Sequence, residues 1–275
     1  MRPYLFEIGG FQLRFYSLAY LIGVIFAYWH TSRAVKTPGA PMAQRHVDDL
    51  FFYCTLGVII GGRLGYAIFY QPELWDNPLD VLKLWEGGMS FHGGLLGVLA
   101  AIGWVAKRGD LSFLRICDYV APSVPMGMLL GRLANFNNGE LWGRVADPAS
   151  VPWAMIFPDP RAGDVARHPS QLYQAGLEGL VLLVVLLLLF WKTSARYRPG
   201  LLVGIFTIGI GLARFVNEFF REPDAQLADF AAQTGLSMGQ WLTIPLILAG
   251  LIVTLYAVTR KPVGTGAGMR TARPA

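Results

Sequence analysis

The stretch His168 to Trp191 reads HPSQLYQAGLEGLVLLVVLLLLFW, and its second half, LVLLVVLLLLFW from Leu180 to Trp191, is apolar throughout. A bilayer core needs roughly 20 apolar residues to be crossed as a helix, so this stretch reads as a membrane span whose middle faces lipid. Lys192, Arg196 and Arg198 follow it directly. The chain repeats this arrangement of an apolar run closed by short polar segments. With 54% hydrophobic and only 15% charged residues and a mean hydropathy of +0.44, it is neither a disordered chain nor an ordinary soluble domain. The fold class expected is an all-α polytopic membrane protein with seven transmembrane helices.

The other spans are read on either side of this one. The first runs from Tyr16 to Trp29 and lacks the charged leader and small-residue cleavage site of a signal peptide, so it is expected to remain uncleaved. A second runs from about Leu50 to Tyr70. A third opens at GGMSFHGGLLG (Gly87 to Gly97) and ends near Lys107 and Arg108. The fourth, from about Leu114 to Leu133, is interrupted by Pro122 and Pro125, a break tolerated where neighbours satisfy the freed backbone. A sixth covers Gly200 to Phe220 and a seventh Trp241 to Val258. Ahead of them YLFEI and FQLRF flank Gly9-Gly10, a hairpin signal. Residues Gln71 to Glu86, with Trp75 and Trp85 and a start at Asp76-Asn77-Pro78, suit a helix lying in the interface. The organisation expected is an arm over 1–15 and a membrane domain over 16–260 that carries a small extracytoplasmic cap at 134–170. A cytoplasmic tail with the composition of a disordered segment follows at 261–275.

Charge fixes the expected orientation. The net charge of +5 sits in short clusters after spans one, three, five and seven, which encodes membrane topology rather than nucleic-acid binding. The loops after spans two and six are acidic, the latter with Glu222, Asp224 and Asp229. The positive-inside rule then puts the N-terminus outside and the C-terminus inside. Cys54 and Cys117 lie in or beside apolar stretches without CxxC or Cys/His spacing, and the sequence offers no metal site.

Against this background GRLANFNNGELWGR, Gly131 to Arg144, concentrates polar groups at the end of span four. Arg132 is expected at or just inside the helix end, with Asn135, Asn137, Asn138 and Glu140 beyond it. An ionisable side chain at that depth marks a site by default. On span six, Arg214, Glu218 and Arg221 are spaced i, i+4 and i+7, one face of a helix on which Glu218 can orient Arg214. Arg214 lies six residues, roughly 9 Å, below Phe220. The topology puts His92, Arg132 and Arg214 in one leaflet, and two guanidinium forks facing one cavity suit a phosphate ligand. Arg63, inside GGRLGY, is either a structural pairing partner or a second phosphate contact.

Together FYSLAY, GGRLGY, GGMSFHGGLLG, GRLANFNNGELWGR, RHPSQLYQ, GLARFVNEFFREPDAQ and SMGQWLTIP resemble, in order and over nearly the whole chain, the bacterial prolipoprotein diacylglyceryl transferases. Ala134 and Asn137 stand where that family more usually has a glycine and an apolar residue. The resemblance implies an enzyme of the bacterial inner membrane, working toward the outer leaflet without a cofactor. It would move a diacylglyceryl group from phosphatidylglycerol to the lipobox cysteine of a preprolipoprotein signal peptide, with release of glycerol phosphate. It carries site roles to Tyr16, His92, Arg132, Asn135, Glu140, Gly143, Arg214 and Glu218. A thiol with an ordinary pKa of about 8.5 must lose its proton to attack. His92 is thus a candidate base, or else a lipid-positioning residue, while Arg132 and Arg214 stabilise the departing phosphate. Two other classes are weighed. A serine protease built on Ser90 lacks the GxSxG elbow, and a transporter also holds intramembrane arginines and broken helices.

Overall fold

A computed structural model of the chain describes residues 4–8, 11–222 and 234–264. The Gly9-Gly10 turn, Asp224, Asp229 and the tail from 265 lie outside the described residues. The chain is mostly helical. A short hairpin of β1 (Tyr4–Ile8) and β2 (Phe11–Arg14), paired antiparallel with Ile8 opposite Phe11, leads into α1 (Phe15–Ala34). Then follow α2 (Gln44–Phe69), α3 (Phe91–Arg108), α4 (Phe113–Val120), α5 (Val124–Asn138), α6 (Ser170–Lys192), α7 (Leu201–Asn217) and α8 (Met238–Thr259). Among the described residues α2, α6 and α8 are long and apolar enough to cross a membrane, and α7 is a shorter apolar helix. Two compact units are present, one of residues 1–30 and 118–263, the other of 31–117 and 264–275.

In the second unit α2 and α3 meet along glycines. Gly57, Gly61 and Gly65 recur every four residues on α2, and Gly93 and Gly97 do so on α3. A Cβ on Gly57 would lie 2.5 Å from the Gly97 carbonyl oxygen, and one on Gly65 would lie 2.9 Å from Gly93 Cα. Only glycine allows this backbone approach, which is how helices associate in lipid, where apolar burial gives no driving force between them. The connection from 71 to 90 holds three short 3₁₀ turns, Pro72–Trp75, Pro78–Leu82 and Leu84–Glu86, in place of the expected interfacial helix. Pro72 and Pro78 each start a turn, and Lys83 (ψ 72°) and Gly87 (φ 80°) end the latter two.

In the first unit α7 packs on α8 by the same device, with Gly204 against Gly250 and Thr254. Asp118, fully buried, accepts hydrogen bonds from the amides of Gly200 (2.6 Å) and Val203 (2.9 Å) and so caps the start of α7. His30 is held between Ser123 Oγ (3.0 Å) and the indole N–H of Trp191 (3.2 Å). Span four is broken as its prolines predict, with a 3₁₀ turn at Ala121–Ser123 between α4 and α5. Its end differs from expectation. Helix α5 continues through Asn138, so Asn135, Asn137 and Asn138 form its last turn instead of lying beyond it. Within α6, residues Ala175–Val181 form a π-helix, where Gly179 meets α5 so closely that a Cβ would stand 2.7 Å from Leu129 Cα.

The glycine seam of α2 and α3 generates a stability prediction. Gly97→Leu should force the helices apart at a cost of about 1–3 kcal/mol or more. A clear fall in the thermal midpoint of the detergent-solubilised protein is expected, and a midpoint equal to the parent's would contradict the seam.

Candidate active site

The site in the first unit is built at the C-terminus of α5. Gly139 adopts the left-handed conformation (φ 71°), and the Glu140 amide reaches back to the Asn135 carbonyl at 3.1 Å, the Schellman ending that glycine favours. The reversal returns the Glu140 carboxylate to the helix end, where Oε1 accepts from Asn135 Nδ2 (2.8 Å) and Asn138 Nδ2 (3.1 Å). Asn135 Oδ1 in turn accepts from Arg132 Nη1 at 3.4 Å. Residues 132, 135 and 138 share a helix face by their spacing of three, so Glu140 positions Asn135 and Asn135 positions Arg132. From α6, Gln171 Nε2 donates to the Glu140 carbonyl (2.7 Å) and Ser170 Oγ to that of Leu141 (3.1 Å), clamping this turn. Tyr16, Ser17, Asn135, Asn138 and Glu140 line a cavity of about 430 Å³.

Arg132 is close enough to Arg214, Arg221, Glu178 and Tyr16 to interact with each electrostatically. The two arginines singled out in the sequence thus lie within electrostatic reach of one another. Their forks are largely unspent. Arg132 Nη2 stands 3.8 Å from Glu178 Oε2, beyond hydrogen-bond distance, and the Arg214 guanidinium makes no hydrogen bond or ion pair among the described residues.

Glu218 does not play the part expected of it. Helix α7 ends at Asn217, and the Glu218 carboxylate turns to Arg221 Nη1 (3.5 Å) and to Ser237 Oγ, which donates at 2.9 Å. It joins the ends of α7 and α8 instead of orienting Arg214. Gly239 leaves the space it occupies, since a Cβ there would fall 2.5 Å from Glu218 Cδ.

Gly143 serves the cap. Its amide donates to the His168 carbonyl (2.9 Å), it bridges to Arg221, and a Cβ would collide with the carbonyl oxygens of Phe220 and His168. Arg144 and Arg167 continue this seam, Arg144 through the carbonyls of Phe220 and Arg221, Arg167 through Glu222 at 3.0 Å. The segment between α5 and α6 is thus held by isolated bridges, one of which ties it to Arg221 after α7. Beside it, Tyr173 OH joins His168 Nδ1 (3.1 Å) and Trp153 Nε1 (2.6 Å).

His92 and Arg63 belong to the second unit. His92 is the second residue of α3 and is exposed, following Ser90, whose hydroxyl accepts from the Gly93 amide and caps that helix. Arg63 is buried, and its guanidinium donates to the carbonyls of Val81 and Asp80 (2.8 Å each), Gly87 and Gly88. With four hydrogen bonds to the 80–88 backbone it holds that connection in place, the structural pairing of the two alternatives.

One residue of the site was not singled out in the sequence. Glu178 in the π segment of α6 is fully buried, within electrostatic reach of Arg132, Arg214, Arg221 and Glu218. A carboxylate inside an otherwise apolar span was the available signal.

These features define a helical membrane protein in which guanidinium groups with unspent donors sit among apolar helices beside a polar cavity. A family profile described as prolipoprotein diacylglyceryl transferase matches residues 3–256, and the chain belongs to that family. Three relatives carry the name phosphatidylglycerol–prolipoprotein diacylglyceryl transferase. That of Erythrobacter litoralis is 66% identical, covering 94% of this chain and 90% of the relative. That of Zymomonas mobilis is 49% identical over 95% of this chain and 92% of its own. The Rhodospirillum rubrum protein is 48% identical over 97% and 96%. The chain is accordingly a transferase.

Proposed function

We propose that this protein transfers the diacylglyceryl group of phosphatidylglycerol to the lipobox cysteine thiol of preprolipoproteins, the first step of bacterial lipoprotein maturation. The sulfur attacks the glycerol carbon that bears the phosphate, the carbon–oxygen bond breaks, and a thioether and glycerol phosphate result. The proton of the thiol ends on the released phosphate monoester or in water. The observation that supports this reading is the pair Arg132 and Arg214, two arginines whose guanidiniums have unspent donors and lie within electrostatic reach of each other. A charged arginine inside a span costs about 2.5–3.5 kcal/mol on insertion scales, and stabilising the charge that develops on the leaving phosphate gives that cost a function. Asn135, held by Glu140, keeps Arg132 aimed, and Tyr16 lines the cavity beside them. Arg221, fixed by Glu218, adds positive charge from the end of α7. His92, at the open start of α3, is assigned the role of general base, on its chemistry and its place in the family motif.

In this reading the chain crosses the bacterial inner membrane seven times, with its N-terminus outside and its site toward the outer leaflet. Residues 1–15 form an arm, 134–170 an extracytoplasmic cap on the 16–260 membrane domain, and 261–275 a cytoplasmic tail. The alternation of basic and acidic loops supports this orientation. Reporter fusions after Arg198 should be active only in the cytoplasm, and activity outside would overturn it.

Transfer is measured as the mass gained by a lipobox peptide in phosphatidylglycerol vesicles. Arg132→Lys and Arg214→Lys should each lose roughly a hundred- to a thousandfold in rate, since an ammonium keeps the charge but not the planar fork. The double variant should be little worse than the worse single one, because groups acting as a unit are non-additive. Rate losses that multiply independently would show that the two do not act on one phosphate.

His92→Gln should be nearly inactive at every pH while still binding phosphatidylglycerol, if it acts as the base. Weakened lipid binding would assign it to positioning instead, and near-normal turnover would exclude both roles.

A further inference from the structure

Three carboxylates lie in this region, and two of them accept hydrogen bonds. Glu140 accepts from two asparagine amides, and Glu218 is held by Arg221 and Ser237. Glu178 differs, because neither of its carboxylate oxygens has a hydrogen-bond partner among the described residues, although the side chain is fully buried. A buried carboxylate without hydrogen bonds is costly. The guanidiniums of Arg132, Arg214 and Arg221 lie within electrostatic reach of it.

The position is built. Glu178 lies in the Ala175–Val181 π segment, a departure from α-helix that recurs at functional sites, and the neighbouring Gly179 lets α6 close on α5. Yet the carboxylate does not grip Arg132. At 3.8 Å it lacks the short two-point fork by which a carboxylate fixes a guanidinium, and Asn135 already orients that side chain. Charge proximity without a grip suits a competitor for Arg132 better than an orienting partner.

The chemistry of the proposed reaction supplies a need for one. The phosphate of phosphatidylglycerol is a diester with a single negative charge, whereas the released glycerol phosphate is a monoester able to carry two. Arginines that stabilise the growing charge also bind that product more tightly than the substrate, and product release limits many enzymes. A fixed negative charge beside Arg132 repels the doubly charged product more than the singly charged lipid, because Coulomb energy scales with the product of the charges.

We propose that Glu178 is a built-in competitor for the Arg132 guanidinium that drives glycerol phosphate off the enzyme. This rests on the reading of function given above. The test measures inhibition by added glycerol phosphate during transfer by the full chain in phosphatidylglycerol vesicles with a lipobox peptide. Glu178→Gln keeps the shape and removes the charge. Its inhibition constant should fall about tenfold, the scale of close charge pairs, and a burst of product should precede a slower steady state. An unchanged inhibition constant overturns the proposal. A raised constant also overturns it, and assigns Glu178 to orienting Arg132, since a misaligned guanidinium binds product more weakly. If Glu178→Gln does not fold, Glu178→Asp draws the carboxylate back by one methylene and should lower the constant in the same direction by less, and no change there overturns the proposal as well. Absence of transfer by the parent chain would instead remove the function on which the proposal stands.

Discussion

A guanidinium carried into apolar surroundings needs something to answer its charge and its donors, and this requirement organises both units. Arg63 meets it with four backbone carbonyls between Asp80 and Gly88, which turns a charge into a fastening for a connection that has only short 3₁₀ turns of its own. Arg132 and Arg214 meet it incompletely. The guanidinium of one has a long contact with Asn135 and a distant carboxylate, that of the other no hydrogen bond or ion pair among the described residues. The difference lies in donors left unspent, which is what the proposed phosphate role of Arg132 and Arg214 requires.

The surrounding fold keeps those donors in place without satisfying them. Glycine contacts draw α7 to α8, and the Asp118 cap fixes where α7 begins. The αL residue Gly139 ends α5 so that Glu140 returns to Asn135. The π segment of α6 carries Glu178. Each device sets backbone position, and the charged side chains follow from it.

Much of this was legible in the sequence. The apolar runs gave the helices, Pro122 and Pro125 gave the break between α4 and α5, and the unusual arginines of GRLANFNN and GLARFVNEFF lie within electrostatic reach of one another. What failed did so for local physical reasons. Asparagines suggest a helix end, yet Asn135 and Asn138 remain helical because their amides bind Glu140 from the last turn. The spacing of Arg214 and Glu218 promised a pair, but α7 ends at Asn217 and Ser237 and Arg221 take the carboxylate. Arg63 offered no sign in the sequence of the carbonyls that claim it, since they come from residues 17 to 25 positions away. Glu178 was visible as a carboxylate inside an apolar span, but the π segment that carries it is announced by no periodicity.

The central claim is that one lipid phosphate is held jointly by Arg132 and Arg214. An experimental structure with phosphatidylglycerol bound tests it most directly. The account predicts the phosphate within hydrogen-bond distance of both guanidiniums, with the glycerol head group in the cavity lined by Tyr16, Asn135 and Glu140. A phosphate bound to neither arginine, or to only one of them, would contradict it.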